Sequence, residues 1–142
     1  MRHWDASALV PLCIEEATSA TLRPLASHGT IVTWCLSGVE ITSAIERRAR
    51  EGQVSAEGRT QALAMLALLT AAWSEIHAVS SVRDRALRLL ASHKLRAADA
   101  LQLAAALVGV SDRPAAHEFV CLDERLRDAA GREGFKVLPV ER

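Results

Sequence analysis

The chain carries no surplus of either charge: 17 basic residues balance 17 acidic ones, and the formal net charge is zero. A protein that held nucleic acid by bulk electrostatics would be basic, so any such contact here rests on a local patch. Cysteine is scarce and unpatterned. Cys13, Cys35 and Cys121 are odd in number and form no CxxC pair, which reads as reduced thiols rather than a disulfide framework. Long hydrophobic runs are missing too. The most apolar stretch, residues 62–73, contains Thr70 and falls far short of the roughly 20 residues that cross a bilayer. The opening Met1-Arg2-His3-Trp4-Asp5 has no apolar leader region. A soluble, cytoplasmic protein with no membrane partner is the expectation.

Repeats, low-complexity tracts and Pro/Ser-rich linkers are also absent. One domain spanning 1–142 is expected, long enough to bury roughly two thirds of its unfolded surface. Half the residues are apolar and 24% are charged, an ordinary globular balance. An extended segment at 2–5 leads into a helix over about 7–17, and a second helix over 19–28 meets a break at Pro24. Residues 30–34 form a β-branched strand. Ser37 then caps a helix running to Gly52, with Glu40 at the capping-box position. Ser55 caps the next helix, which reaches Trp73 and is apolar almost all round, so it is either core or covered by a partner. Residues 76–79, 119–122 and 136–140 read as strands, with helices over 82–93, 97–110 and 124–133 between them. Strands alternating with helices predict an α/β fold with a parallel sheet covered on both faces.

Four acids stand in apolar surroundings: Asp5 in Trp4-Asp5-Ala6-Ser7-Ala8-Leu9-Val10, Glu40 in Val39-Glu40-Ile41, Asp99 in Ala98-Asp99-Ala100-Leu101, and Asp123 after Phe119-Val120-Cys121-Leu122. Burying an unpaired carboxylate costs several kcal/mol unless a cation or donors compensate. Asp5 and Asp123 each fall at the carboxyl end of a strand, where open parallel sheets bind ligands. Glu40 and Asp99 fall in the first turn of a helix, where the dipole favours a carboxylate. Oxygen ligands without a matching His or Cys suit a hard cation, Mg²⁺ or Mn²⁺. Each acid also has a purely structural reading. Asp5 and Asp123 can be N-caps, Glu40 a capping-box residue, and Asp99 the partner of Arg96 in an i,i+3 ion pair.

Those residues carry a family resemblance. Asp5-x-Ser7-Ala8-Leu9-Val10, Val39-Glu40, Leu95-Arg96-x-x-Asp99-Ala100-Leu101-x-Leu103-Ala104 and Val120-x-x-Asp123-x-Arg125-Leu126 resemble the boxes of the PIN-domain nucleases. The closest likeness is to the VapC-type toxin ribonucleases of bacterial toxin–antitoxin pairs. The resemblance covers nearly the whole chain, and the third box is its most specific part. It implies a three-layer α/β/α sandwich around a parallel sheet of four to five strands, with Asp5, Glu40, Asp99 and Asp123 lining a Mg²⁺ or Mn²⁺ site. Ser7 would bond a ligand or a water there. The chain departs from the pattern at Cys121, where many relatives carry Thr or Ser, at Gln102, a common His, and at Pro11, a common Lys. All four acids are kept.

The function implied is a Mg²⁺-dependent endoribonuclease toxin, acting on RNA and neutralised by a small cognate antitoxin protein, with a homodimer as the expected assembly. A rival reading is a PIN-like module that binds a partner without catalysis, motivated by Cys121, Gln102 and the neutral charge. A phosphatase of the haloacid dehalogenase type would want an Asp where Ser7 stands. Arg96 orients an acid, touches phosphate, or is simply a solvated surface ion. Trp34 and Trp73 read as core, the five histidines as scattered, and Arg47, Arg48 and Arg50 as a solvated helix face before an RNA-facing patch. Residues 62–73 read as core, part of which could line a homodimer interface or an antitoxin groove.

Overall fold

Among the described residues, 1–141 of a computed structural model, five short strands alternate with seven helices. The strands are β1 (Arg2–Trp4), β2 (Val32–Trp34), β3 (Ser74–Ile76), β4 (Glu118–Val120) and β5 (Lys136–Leu138). The helices are α1 (Ala6–Cys13), α2 (Ser19–Ala26), α3 (Ser37–Arg50), α4 (Ala56–Ala72), α5 (Val79–Ser92), α6 (Ala97–Gly109) and α7 (Glu124–Glu133). The strands pair in the order β3-β2-β1-β4-β5, and every pairing is parallel. Parallel neighbours need crossover connections, and the helices that supply them cover both faces. On one face Val82, Leu89, Leu103 and Leu126 of α5, α6 and α7 pack with Trp34 and Phe119 of the sheet. On the other, Leu9, Leu22, Ile41, Ile45 and Leu66 of α1 to α4 pack with Trp4 and Val120. The result is the expected three-layer α/β/α sandwich.

The chain lays β2 and β3 on one side of β1 before crossing to β4 and β5 on the other. The strand order therefore reverses between β1 and β4, the place where open α/β sheets leave a crevice beyond their carboxyl ends. Asp5 follows β1 immediately and Asp123 follows β4 within three residues. Topology therefore brings Asp5 and Asp123 to one edge of the sheet, and α6 packs against β2 and β3 beside them. Residues Ala100 and Gln102 to Leu107 of that helix are all buried, and its alanines let it lie close against the sheet. Trp34 and Trp73 are buried as expected.

Several elements differ from their sequence-based bounds. The first helix ends at Cys13 rather than near residue 17 because buried Ser19 intervenes. Its hydroxyl donates to Pro11 O at 2.6 Å and accepts from the Glu16 N–H at 2.8 Å. A side chain offering the backbone such partners competes with helix continuation. Pro24 sits inside α2 without breaking it, and the helix stops at Ala26, two residues on. The third strand begins at Ser74, before the Ile76 that β propensity selects. Pairing of Ser74, Glu75 and Ile76 with β2 overrides the weak propensity of Ser and Glu.

The largest correction concerns α4. Only Ala62 and Leu66 of this helix are buried, while Leu68 is 67% and Met65 40% exposed. The helix lies over α1 and α3 at the outside of its layer, where one stripe can reach the core and the rest cannot. It is a surface helix with an apolar outer face. No helix among the described residues is long and apolar enough to cross a membrane. Urea unfolding should separate the two faces of α4. Leu66→Ala should cost about 2–3 kcal/mol, and Leu68→Ala less than about 0.5 kcal/mol. Equal costs would mean that the outer face is packed.

Candidate metal centre

Asp5 is the most enclosed of the four acids, at 3% exposure. It caps α1 with extended backbone angles, and its Oδ2 accepts the Ser7 N–H at 3.1 Å. The Cys121 thiol lies 3.6 Å from the same oxygen and within 3.6 Å of Ser7 Oγ. Ser7 Oγ in turn accepts the Leu122 N–H at 3.0 Å, which pins the start of α1 to the segment after β4. The Asp5 N–H donates to Val120 O at 3.0 Å. Asp5 is thus both the N-cap that its position allowed and a buried carboxylate at the strand-order reversal. Burial pushes its pKa up, and the donors of Ser7, Cys121 and Ala6 only partly oppose that.

Asp123 is likewise an N-cap, its Oδ1 accepting the Leu126 N–H at 3.0 Å. Its side chain is exposed at the mouth of the crevice. Each capping bond engages a single carboxylate oxygen, so cap and ligand are compatible roles for both Asp residues. Glu40 is half-buried in the first turn of α3, but the capping box does not form. Ser37 is the first helical residue, Leu36 occupies the cap position, and the cap makes no side-chain bond. The Ser37 hydroxyl turns inward instead, 2.6 Å from Thr33 Oγ1 and 2.8 Å from Gln102 Nε2. Asp99 lies in the first turn of α6 and is half-buried. The ion pair with Arg96 that would have explained Asp99 structurally does not form among the described residues, although that guanidinium acts to lower the carboxyl's pKa.

Neighbouring carboxylates act on Glu40 and Asp99. Glu40 is raised from 4.5 to about 7, first by burial and then by repulsion from Asp5 and Asp99. Asp99 is raised from 3.8 to about 6, first by burial and then by repulsion from Asp5 and Asp123. Among the described residues, Asp5, Glu40 and Asp99 are the acidic side chains that are neither exposed nor within ion-pair distance of a basic one. A cleft of about 460 Å³ opens over this edge, lined by Arg96, Ala98, Asp99, Asp123, Glu124 and Arg125.

An all-oxygen, uncompensated donor set of this kind fits a hard cation. Among the described residues, no three acidic, histidine or cysteine side chains converge closely enough to hold an ion as they stand. Binding would therefore draw the carboxylates inward. The Ser7 hydroxyl, which its motif would turn toward a ligand or water, is engaged with Leu122 and Cys121.

Two further residues near these acids carry no carboxylate: His3, to which the sequence assigns no role, and Gln102, which stands out there only as a departure from the family pattern. Gln102 is wholly buried and bonds His3, Ser37 and Glu40 at 3.0, 2.8 and 3.2 Å. His3, also wholly buried, stacks on Phe119 with ring centroids 5.3 Å apart. The usable signal was a lone amide inside the apolar run 100–108. Comparison with known proteins finds no matching family model and no matching curated protein.

An acid whose pKa is higher in the folded than in the unfolded chain keeps a proton that the unfolded chain has already released. The folded state then loses relative stability as pH climbs from the unfolded value to the folded one. For Glu40 that window runs from 4.5 to about 7. Buried His3, lowered from 6.5 to about 4, acts in the opposite sense, so variant and parent must be compared at each pH. In metal-free buffer Glu40→Gln should melt above the parent at pH 8, by on the order of a few °C. The gap should close by pH 4. A gap that does not change with pH would assign the effect to packing.

Proposed function

We propose that this chain is a divalent-metal-dependent endoribonuclease of the PIN-like, VapC-type toxin class, acting in the cytoplasm. One observation carries the reading. Acids from four separate segments lie near enough to one another at the strand-order reversal for Asp5 and Asp99 to raise Glu40 and for Asp5 and Asp123 to raise Asp99, and three of the four lack both exposure and an ion-pair partner. Asp5, Asp99 and Glu40 would hold Mg²⁺ or Mn²⁺, with Asp123 reaching it from the mouth of the cleft. When bound, the ion lowers the pKa of a water and neutralises charge developing on the phosphate and on the leaving 3′ oxygen.

The chain's own groups supply orientation. Ser7 N–H and the Cys121 thiol both engage Oδ2 of Asp5, which leaves its Oδ1 for a ligand. Arg96 and Arg125 line the cleft and have no ion pair among the described residues, and in this reading they would receive RNA phosphates. The cleft holds three acids beside these two arginines, so phosphate would be favoured there only once a cation offsets the carboxylates. Arg48, by contrast, is occupied by Glu16.

The partners proposed are the RNA substrate, a small antitoxin protein and a second copy of the chain. An apolar groove of about 600 Å³ between α3 and α4, lined by Cys35, Val39, Thr42 and Leu66 among others, supports a protein partner. The same groove favours the second reading, a partner-binding module without catalysis.

Purified protein with Mn²⁺ or Mg²⁺ should cleave a structured RNA, and EDTA should abolish the cleavage. Asp99→Asn and Asp5→Asn should each lower the rate by at least about a hundredfold while the fold is kept. Arg96→Ala should raise KM more than it lowers kcat. Cleavage that persists in EDTA would remove the metal from the mechanism. Absence of cleavage with retained protein binding would select the module.

A further inference from the structure

Gln102 stands at the crossing of a hydrogen-bond chain whose directions can be assigned throughout. The Thr33 hydroxyl donates its single proton to Trp4 O at 2.7 Å. Ser37, 2.6 Å away, must therefore be the donor to Thr33 Oγ1. That leaves Ser37 Oγ as an acceptor, and Gln102 Nε2 donates to it at 2.8 Å. The second Nε2 proton goes to Glu40 Oε1 at 3.2 Å. With both amide protons spent, Gln102 Oε1 is an acceptor, and the His3 Nε2 at 3.0 Å must carry the proton it receives. The amide is consequently locked with its NH₂ toward Glu40. The lock is anchored in β1, β2 and α3, while His3 itself is held by stacking on Phe119.

We propose that Gln102 is a positioning residue: the buried His3–Gln102–Ser37–Thr33 chain holds the Glu40 carboxylate toward the edge where Asp5 and Asp99 lie. Its functional consequence rests on the metal-centre reading above, whereas the geometric claim does not. Gln102 touches neither substrate nor ion. A Met at this position has nearly the same volume and neither donates nor accepts as an amide does. An Asn keeps the amide but is one methylene too short to reach Glu40 from the same backbone.

The test uses the full chain as parent, Gln102→Met, Gln102→Asn, Glu40→Ala and the double variant Gln102→Met/Glu40→Ala. Thermal melting confirms folding, and Gln102→Asn replaces Gln102→Met if the latter fails to fold. The first readout is the side-chain carboxyl ¹³C resonance of Glu40 in metal-free protein. It should move in the Gln102 variants while that of Glu133, on α7, stays fixed. An unmoved Glu40 resonance overturns the proposal.

The second readout is Mn²⁺ affinity by calorimetry. Loss of the amide should weaken binding by about tenfold in the parent background and by less than about twofold when Glu40 is already Ala. Equal losses in both backgrounds would show that Gln102 serves the fold and not Glu40. If the parent binds no Mn²⁺, the metal reading fails, and the Glu40 resonance alone decides whether Gln102 positions it.

Discussion

The carboxyl edge of the sheet is organised around a carboxylate that has donors but no counter-charge. Asp5 sits almost completely enclosed between β1 and α1, with Ser7 and Cys121 on one oxygen, and burial still raises its pKa. Hydrogen bonds to a carboxylate recover part of the lost hydration and leave the field intact. That field reaches Glu40 and Asp99 and helps raise both. The surroundings are built to keep this arrangement. Ser7 ties α1 to the segment after β4, and Gln102 ties α6 to α3 and β1. Structural stability alone would be better served by replacing such groups with apolar ones, so three uncompensated acids near one edge of the sheet favour a ligand.

Much of this was legible in the residues. Strand–helix alternation gave the sheet its parallel sense, and the residues flanking Asp5 and Asp123 put both acids at strand ends. The helix 124–133 was readable to the residue because Asp123 caps it and Gly134, at φ 109°, ends it in a left-handed turn. The four acids were also recognisable, since apolar neighbours on both sides of a carboxylate are visible without coordinates.

What escaped was decided by contacts between distant segments. Helix α4 looked like core because its composition is apolar on every side, but position in the layer decides burial. Ser37 and Glu40 have capping-box spacing, yet the hydroxyl finds better partners in Thr33 and Gln102, 4 and 65 residues away in sequence. The stop of α1 depends on Ser19, whose bonds to Pro11 and Glu16 exist only once the chain turns. His3 and Gln102 are 99 residues apart, so the bond between them cannot be read along the chain.

Cation binding linked to proton release tests the central claim most directly. With Glu40 raised to about 7 and Asp99 to about 6, an ion entering this cluster must displace the protons they share. Calorimetric titration with Mn²⁺ at pH 6.5, repeated in buffers of different ionisation enthalpy, should show proton release coupled to ion binding. Asp5→Asn should sharply reduce both the binding and the release. No binding, or binding without proton release, would contradict the assignment of these acids to a metal centre.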